Sequence, residues 1–286
     1  MKFTIARSKR PISKKFSLDE SGALKKDDGG NLTLATFDTQ DCPDVTTLYR
    51  YISSSHCDDR VIIIPGISKF TSGLIVTKND LAMKGGDPGD TNLVSRSKDC
   101  FSYTGSGGFL LLDYDPSEDF AQNDGKALSK DQLFAMLYEA LPELKKAPML
   151  WKNSSSSNLK NASTGEKYRG IKGQHIFVDI KDTNDIERIV KLFYKRLWLA
   201  GQGYIFVDKT GRLHDRTIID KVVNSPEREI FLKAECVHPI SQEMEYELIN
   251  KNHKSLNTAL ITDLTASEED KFKNLVIKAK KSKGKK

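Results

Sequence analysis

Apolar residues along this chain fall into short runs, and the spacing within each run separates strands from helices. Most runs are only a few residues long and end at glycine, proline or a cluster of polar residues. Runs of this length with these boundaries are typical of strands buried on one or both faces. The strands predicted in this way lie at 60–67, 73–78, 110–115, 147–152, 174–180, 203–208, 216–220 and 228–237.

Two longer segments repeat their apolar residues with the spacing of an amphipathic α-helix. The first is predicted over 129–144, where Ser129 is a suitable N-cap, and the second over 184–200, where Gly201 follows its end. A last helix is predicted from near Ser267 into the lysine-rich end of the sequence. The two apolar stripes consist of Leu133, Met136, Leu137 and Leu141, and of Ile186, Ile189, Val190, Phe193 and Leu197.

The order of these elements predicts the fold class. Strands and helices interleave, but several strands are joined by short turns, which favours an α+β fold with an antiparallel or mixed sheet over a doubly wound parallel sheet. The glycine-rich loops of P-loop and dinucleotide-binding proteins are absent from the sequence. We expect an N-terminal part at 1–95, a core at 96–262 and a helical, lysine-rich tail or linker at 263–286.

Composition narrows the class of protein further. The chain has 286 residues, of which 38% are hydrophobic, and it contains no run of 18 apolar residues and no signal-peptide pattern. Its four cysteines form no C-x-x-C pair, which disfavours a zinc site. We therefore expect a cytoplasmic protein with reduced thiols and no membrane segment.

The positive net charge is concentrated at one end of the sequence. The formal charge is +6, but residues 271–286 hold eight lysines and no acid, so the rest of the chain is slightly negative. A broad basic surface is therefore not expected. Any argument for nucleic-acid binding depends on local patches and individual residues.

The first candidate site is the stretch "LLLDYDP" at 110–116. Because side chains alternate along a strand, Asp113 and Asp115 share one face and Tyr114 points to the other. Two carboxylates on one face of a buried strand repel each other, so they require a cation, exposure to solvent or a shared proton. The alternative interpretation is a solvated strand end at which Asp115 and Pro116 open a turn.

The second candidate is His175, which begins the strand predicted at 174–180. A histidine at this place is often structural, but the loop before it carries four consecutive serines and five basic residues against one acid. Such a loop is suited to phosphates. With a further aspartate at the end of a later apolar run, these residues have the chemistry of a site for two divalent cations. The basic residues are Lys152, Lys160, Lys167, Arg169 and Lys172.

Three stretches together carry a resemblance: "GFLLLDYDP", "MLWKNSSSS…GEKYRGIKGQHIFVDI" and "RLWLAGQGYIFVDKTGRLHDRTIID…SPEREIF". Over about residues 100–262 they resemble the primase-polymerase domain of the archaeo-eukaryotic primase superfamily, in the forms carried by phages, plasmids and integrated elements. The Asp-x-Asp motif is matched by Asp113 and Asp115. The small-residue–histidine motif is matched by Gly173 and His175, with glycine in place of the usual serine. The third carboxylate is either Asp208 or Asp220.

We prefer Asp220 on two grounds. The stretch around it resembles the mobile-element primases as a unit, and Asp208 closes a run followed by "KTG", where an aspartate is common in a turn. If 203–220 forms a hairpin, the two aspartates lie at its opposite ends. Arg216, four residues before Asp220, would share its face of an extended strand.

The resemblance implies an RNA-recognition-motif-like (RRM-like) antiparallel or mixed sheet and a DNA primase-polymerase that makes or extends primers on single-stranded DNA. Asp113, Asp115 and Asp220 would be catalytic and would bind two Mg²⁺ or Mn²⁺ ions. The substrates would be NTPs or dNTPs, and a replicative helicase, fused or separate, is an expected partner. The two alternatives are a non-catalytic origin- or single-strand-binding replication module and a two-metal nuclease. The residues implied in nucleotide binding are His175, Lys172, Arg216 and Ser155.

Overall fold

The computed structural model describes residues 1–30, 32–54, 56–83, 92–117, 119–120 and 126–284. Within these residues the chain forms a mixed α+β fold of several antiparallel and mixed sheets with five α-helices. The predicted α+β class is therefore confirmed. The last two lysines of the predicted tail, at 285–286, lie outside the described residues.

The N-terminal part of the chain builds a six-stranded sheet with the order β15-β5-β1-β4-β6-β7. The strand β15 comes from much later in the sequence and pairs with β5, so this sheet and the rest of the chain are joined by strand pairing. Two helices accompany the sheet, α1 (Val45–Ile52) and α2 (Lys78–Met83). The strands are β1 (Lys2–Ser8), β4 (Leu34–Asp41), β5 (Val61–Ile64), β6 (Ser72–Val76), β7 (Leu93–Ser95) and β15 (Ile230–Phe231).

A second, four-stranded antiparallel sheet forms the centre of the molecule, with the order β18-β9-β12-β8. One face is covered by α3 (Lys130–Ala140) and α4 (Ile186–Leu199) in a single hydrophobic cluster. The other face packs against α1 and the N-terminal sheet in a second cluster. The strands of this central sheet are β8 (Gly108–Tyr114), β9 (Met149–Asn153), β12 (Gln174–Ile180) and β18 (Tyr246–Ile249).

Smaller elements surround these two sheets. Two three-stranded sheets have the orders β16-β2-β3 and β11-β10-β17, and β13 pairs with β14 in a hairpin. Among the described residues, 3₁₀ turns lie at Pro142–Lys146, Thr183–Asp185 and Thr258–Leu260. The strands are β2 (Lys15–Leu18), β3 (Leu24–Asp27), β10 (Leu159–Asn161), β11 (Lys167–Arg169), β13 (Gly203–Val207), β14 (Leu213–Thr217), β16 (Glu235–Cys236) and β17 (Ile240–Gln242).

Both predicted amphipathic helices form, but α3 ends at Ala140 and is shorter than the predicted 129–144. Ser129 caps α3 and forms a capping box with Gln132, and the helix ends just before Pro142, which begins a 3₁₀ turn. The segment 228–237, predicted as one strand, is instead divided into β15 and β16, which belong to different sheets. Its apolar residues pack in three separate clusters, so they do not line one face of a single strand.

The lysine-rich tail forms the helix α5 (Ala266–Lys283), which packs on the body of the protein. Phe272 contacts the rings of Tyr194 and Trp198 on α4, with centroids 6.3 and 6.4 Å apart. Lys280 Nζ lies 3.1 Å from Asp215 Oδ1 on β14. This helix therefore covers the hairpin β13–β14 and fixes it against α4.

The described part of the chain contains no helix long and apolar enough to cross a membrane. All four cysteines are free thiols.

Candidate active site

At one end of the central sheet, the face that packs on the N-terminal part changes from apolar to charged. Along β8 the apolar residues Phe109 and Leu111 on this face are followed by Asp113, since side chains alternate along the strand. Along β12 Phe177 is preceded on the same face by His175. On β9 the same change places Lys152 after the buried Leu150.

The strand register brings these polar residues into one row. His175 lies directly opposite Asp113 on one side and Lys152 on the other. Residues directly opposite each other in an antiparallel pair have neighbouring side chains. His175 Nε2 lies 3.3 Å from Asp113 Oδ1, and the His175 side chain is only 10% exposed. His175 Nδ1 is buried and has no hydrogen-bond partner among the described residues.

Asp115 follows immediately after β8 and lies close enough to Asp113 for the two charges to interact. Burial, together with the charge of Asp113, raises the pKa of Asp115 above its ordinary value. Burial acts on Asp113 in the same direction, but His175, Lys14 and Lys152 outweigh it and lower the pKa of Asp113. Two neighbouring carboxylates whose pKa values move apart are characteristic of functional sites.

The glycine in the small-residue–histidine motif is required by its contacts. A Cβ atom on Gly173 would lie 2.6 Å from Ser154 Oγ and 2.7 Å from Asp115 Oδ1. The Ser154 hydroxyl therefore occupies the space next to Asp115 that a serine at this position would enter. The Gly173 carbonyl accepts hydrogen bonds from the Ser154 backbone N–H and the Ser157 hydroxyl, at 2.8 and 2.9 Å. Ser155 is buried in the same turn, but Ser154 is the serine that approaches the carboxylate.

Three lysines from distant parts of the chain add positive charge to this end of the sheet. Lys152 is fully buried, and burial lowers its pKa to about 7, so the ammonium form is still populated at neutral pH. Lys14 donates a hydrogen bond to Ser156 Oγ at 3.1 Å, and its charge acts on both Asp113 and Asp115. The exposed Lys172 acts on Asp115.

The backbone of Asp220 bonds directly to the strand that carries Asp113. The chain leaves the hairpin after β14 and runs along the free edge of β8, where the Asp220 N–H donates to the Asp113 carbonyl at 2.9 Å. Four residues later the Asn224 side chain bonds to both backbone groups of Leu111 at 2.8 and 3.0 Å. The predicted strand 216–220 is therefore only partly a strand, because β14 ends at Thr217.

Asp220 and Asp115 line the same cavity of about 170 Å³, together with Arg216 and Tyr204. Arg216 Nη1 lies 3.7 Å from Asp220 Oδ1, as expected from their spacing, and the Val222 N–H donates to the same oxygen at 2.9 Å. The Asp220 carboxylate thus faces the cavity but is held by groups of its own segment.

Asp208 has a different environment. It follows β13 at the closed end of the hairpin, whereas Asp220 lies beyond the open end, where Gly203 pairs with Thr217. Asp208 Oδ1 accepts bonds from the Thr210 hydroxyl and backbone N–H, at 2.6 and 2.9 Å, and Oδ2 lies 2.7 Å from His214 Nε2. The bonds from Thr210 and His214 lower the pKa of Asp208. These contacts are those of an aspartate that stabilises a turn.

The fit of these residues to a metal depends on their donor atoms. No group of three or more histidine, cysteine, aspartate or glutamate side chains is arranged to hold a metal among the residues that the structure describes. Asp113 and Asp115 supply the hard oxygen ligands that Mg²⁺ and Mn²⁺ prefer, and burial together with the charge of Asp113 raises the pKa of Asp115, an effect that a bound cation would oppose. The pair therefore fits a divalent cation, with Asp220 adjacent to it.

The sequence predicts no role for Lys14, and it indicates Lys152 only as one of several basic residues of a loop. Lys14 lies in a polar N-terminal stretch without a motif, so no signal in the sequence connects it to Asp113. Lys152 follows the apolar residues of its strand. The signal available in the sequence was that Lys152 is a charged residue in the strand predicted at 147–152, whose other residues are apolar.

Comparisons of the chain with protein-family models, with curated proteins and with solved structures found no match.

Proposed function

We propose that this protein is a DNA primase-polymerase that joins nucleotides on a single-stranded DNA template in the replication of a mobile element. The reaction is the attack of a 3′-hydroxyl on the α-phosphate of a nucleoside triphosphate, with pyrophosphate as the leaving group. The observation that carries the proposal is the single end of the central sheet at which Asp113, Asp115 and His175 meet, with Asp220 bonded to the same strand edge.

The arrangement of elements around β8 supports an RRM-like core. Apart from the inserted strand pairs β10–β11 and β13–β14, the order β8, α3, β9, β12, α4 and then the segment ending at Asp220 follows the β-α-β-β-α-β pattern of ferredoxin-like folds. The last segment lies along β8, on the edge opposite β12. In this interpretation the segment at 218–220 takes the place of the sixth element, which is consistent with the backbone bond from Asp220 to Asp113 and with the cavity that Asp220 shares with Asp115.

Each proposed residue has a separate task. Asp113 and Asp115, joined by Asp220, would hold the metal, which when bound neutralises phosphate charge and favours attack by the hydroxyl. His175 has one ring nitrogen at Asp113, and its buried Nδ1 has no partner in the described chain, so in this proposal Nδ1 would bind a phosphate oxygen that enters the site. Lys172 and Arg216 lie at the more exposed side of the site and would contact the remaining phosphates.

The test is an incubation of the protein with single-stranded DNA, Mn²⁺ or Mg²⁺ and labelled NTPs or dNTPs, without a primer. We expect labelled product from the wild-type protein and none from Asp113→Ala or Asp115→Ala. The matched control is Asp208→Asn, which also removes one negative charge but does so at the closed end of the hairpin. The proposal is wrong if the Asp113→Ala/Asp115→Ala double variant synthesises DNA at the wild-type rate.

The same assay separates the proposal from the alternatives. Binding of single-stranded DNA without any nucleotide incorporation would favour a non-catalytic replication module. Metal-dependent loss of the template without synthesis would favour a nuclease. His175→Ala distinguishes a phosphate-binding role from a folding role: we expect weaker nucleotide binding with unchanged template binding, whereas an equal loss of both would indicate a folding role.

A further inference from the structure

The carboxylate pair is surrounded by more positive charge than it carries. Asp113 and Asp115 interact with three lysines, two of which act on Asp113 and two on Asp115. His175 lies beside Asp113 in addition. A site that serves only to capture a free divalent cation would gain from excess negative charge, because each neighbouring lysine repels the cation. The lysines are Lys14, Lys152 and Lys172.

Lys152 is the most unusual of these three lysines. Its side chain is 0% exposed, and its Nζ atom has no hydrogen-bond partner among the described residues. The charges that act on it are the attractive Asp113 and the repulsive Lys233. Burying an ammonium group without a hydrogen bond is costly, and an apolar side chain of similar length would fill the same space without this cost. Packing alone therefore does not explain a lysine at this position.

We infer that Lys152 makes the site bind a divalent cation poorly by itself and well as a complex with a polyphosphate, whose negative charge balances the buried ammonium group. This inference deepens the proposed function by naming the substrate form, a metal–nucleoside triphosphate complex. Because Lys152 is fully buried, it acts through its electric field on the ligands, without contact. In a poorly solvated site such a field is only weakly screened.

The field has opposite effects on the two ligands when each is present alone. It opposes a cation at Asp113 and attracts an anion to the same end of the sheet. By thermodynamic linkage, whichever ligand binds first then increases the affinity for the other. A residue with a purely structural role would change both affinities in the same direction, if it changed either. The opposite signs therefore identify the electrostatic role.

The experiment uses Lys152→Met, which keeps the length of the side chain and removes its charge. Isothermal titration calorimetry at pH 6.5 measures the affinity for Mn²⁺ alone and, in metal-free buffer, for inorganic tripolyphosphate alone. We expect the variant to bind Mn²⁺ at least about a hundredfold more tightly and tripolyphosphate at least about a hundredfold more weakly, since a unit charge about 10 Å from a divalent ion acts on this scale at an effective dielectric constant near 20. The matched control is Lys191→Met, which removes the same charge from an exposed position on α4 and should change neither affinity.

Lys14→Met provides a second variant, because Lys14 is half-buried and acts on the same carboxylates from the N-terminal part of the chain. We expect shifts of the same two signs from it. If both variants leave the two affinities unchanged, or move them in the same direction, the inference is overturned, as it also is if the wild-type protein binds neither ligand. The primer-synthesis assay tests the proposed function separately. If the wild-type protein synthesises primers but both variants keep the wild-type affinities for Mn²⁺ and tripolyphosphate, the inference is wrong and the proposed function stands. If the two affinities shift in opposite directions but no primers are synthesised, the inference stands and the proposed function is wrong.

Discussion

The Gly173→Ala substitution tests the geometry of the site without any assumption about its activity. The new Cβ atom would lie 2.6 Å from Ser154 Oγ and 2.7 Å from Asp115 Oδ1, well inside the 3.4 Å at which ordinary contacts begin. The backbone of Gly173 cannot easily move away, because its carbonyl accepts bonds from Ser154 and Ser157. Either these bonds or the two side chains must shift.

The expected cost follows from these alternatives. Overpacking of a buried site by one methyl group typically costs about 1–3 kcal/mol, and the loss of one hydrogen bond costs about 1 kcal/mol. We therefore expect Gly173→Ala to lower the free energy of unfolding by about 2 kcal/mol. If Asp115 is displaced by even part of this overlap, nucleotide incorporation should fall by about a hundredfold, because misplacement of a reacting group by about 1 Å has effects of this size.

Urea denaturation measures the change in the free energy of unfolding, and the unprimed synthesis assay measures the change in nucleotide incorporation. Gly170→Ala is the matched control, since no atom lies within 4 Å of its added Cβ and the backbone there is not in the left-handed region. It should be neutral or slightly stabilising, by up to about 1 kcal/mol. Adding Ser154→Ala to Gly173→Ala should restore part of the lost stability, because the closest contact is removed. Equal stability of Gly173→Ala and Gly170→Ala would refute the contact argument.

Three further predictions concern other parts of the molecule. Asp220→Asn should abolish nucleotide incorporation, whereas Asp208→Asn should keep it and show only a lower melting temperature; activity lost in the second variant and kept in the first would reverse the assignment. Burial raises the pKa of Asp179 to about 6, above its unfolded value, so its contribution to stability is present below about pH 4 and is lost as the pH rises through 6. Asp179→Asn should therefore be more stable than wild type by about 3 kcal/mol at pH 7 and nearly equal to it at pH 4 in urea denaturation, and a constant difference across this range would contradict the assignment. Phe272→Ala should cost about 2 kcal/mol because its ring packs on Tyr194 and Trp198 of α4, whereas Ile277→Ala, at a side chain that is half exposed, should cost almost nothing; equal melting temperatures would show that α5 does not stabilise the body.

Local patterns were sufficient for the elements whose partners are near in sequence. Ser129 caps α3, as the sequence indicates, but the helix ends at Ala140, before Pro142, and not at the predicted residue 144. The turn after β13 was also predictable, because Asp208 and the following "KTG" carry turn chemistry of their own. The segment 228–237 shows the limit of this approach. Its apolar run predicts one strand, but its two halves pair with strands from different sheets, and no local pattern specifies such a division.

By itself, the sequence determined that Asp113 and Asp115 share one face of a buried strand, since alternation along a strand depends only on the backbone. It also determined that His175 begins another strand and that Asp208 and Asp220 lie at opposite ends of a hairpin. Only the tertiary structure decided that β12 lies between β8 and β9, which places His175 between Asp113 and Lys152. It also decided that the segment ending at Asp220 lies along the edge of β8 and that Lys14 reaches the carboxylates from the N-terminal part. The physical reason is that strand order and the packing of one layer on another depend on residues far apart in the chain, whereas the periodicity of a sequence reports only which face each residue occupies.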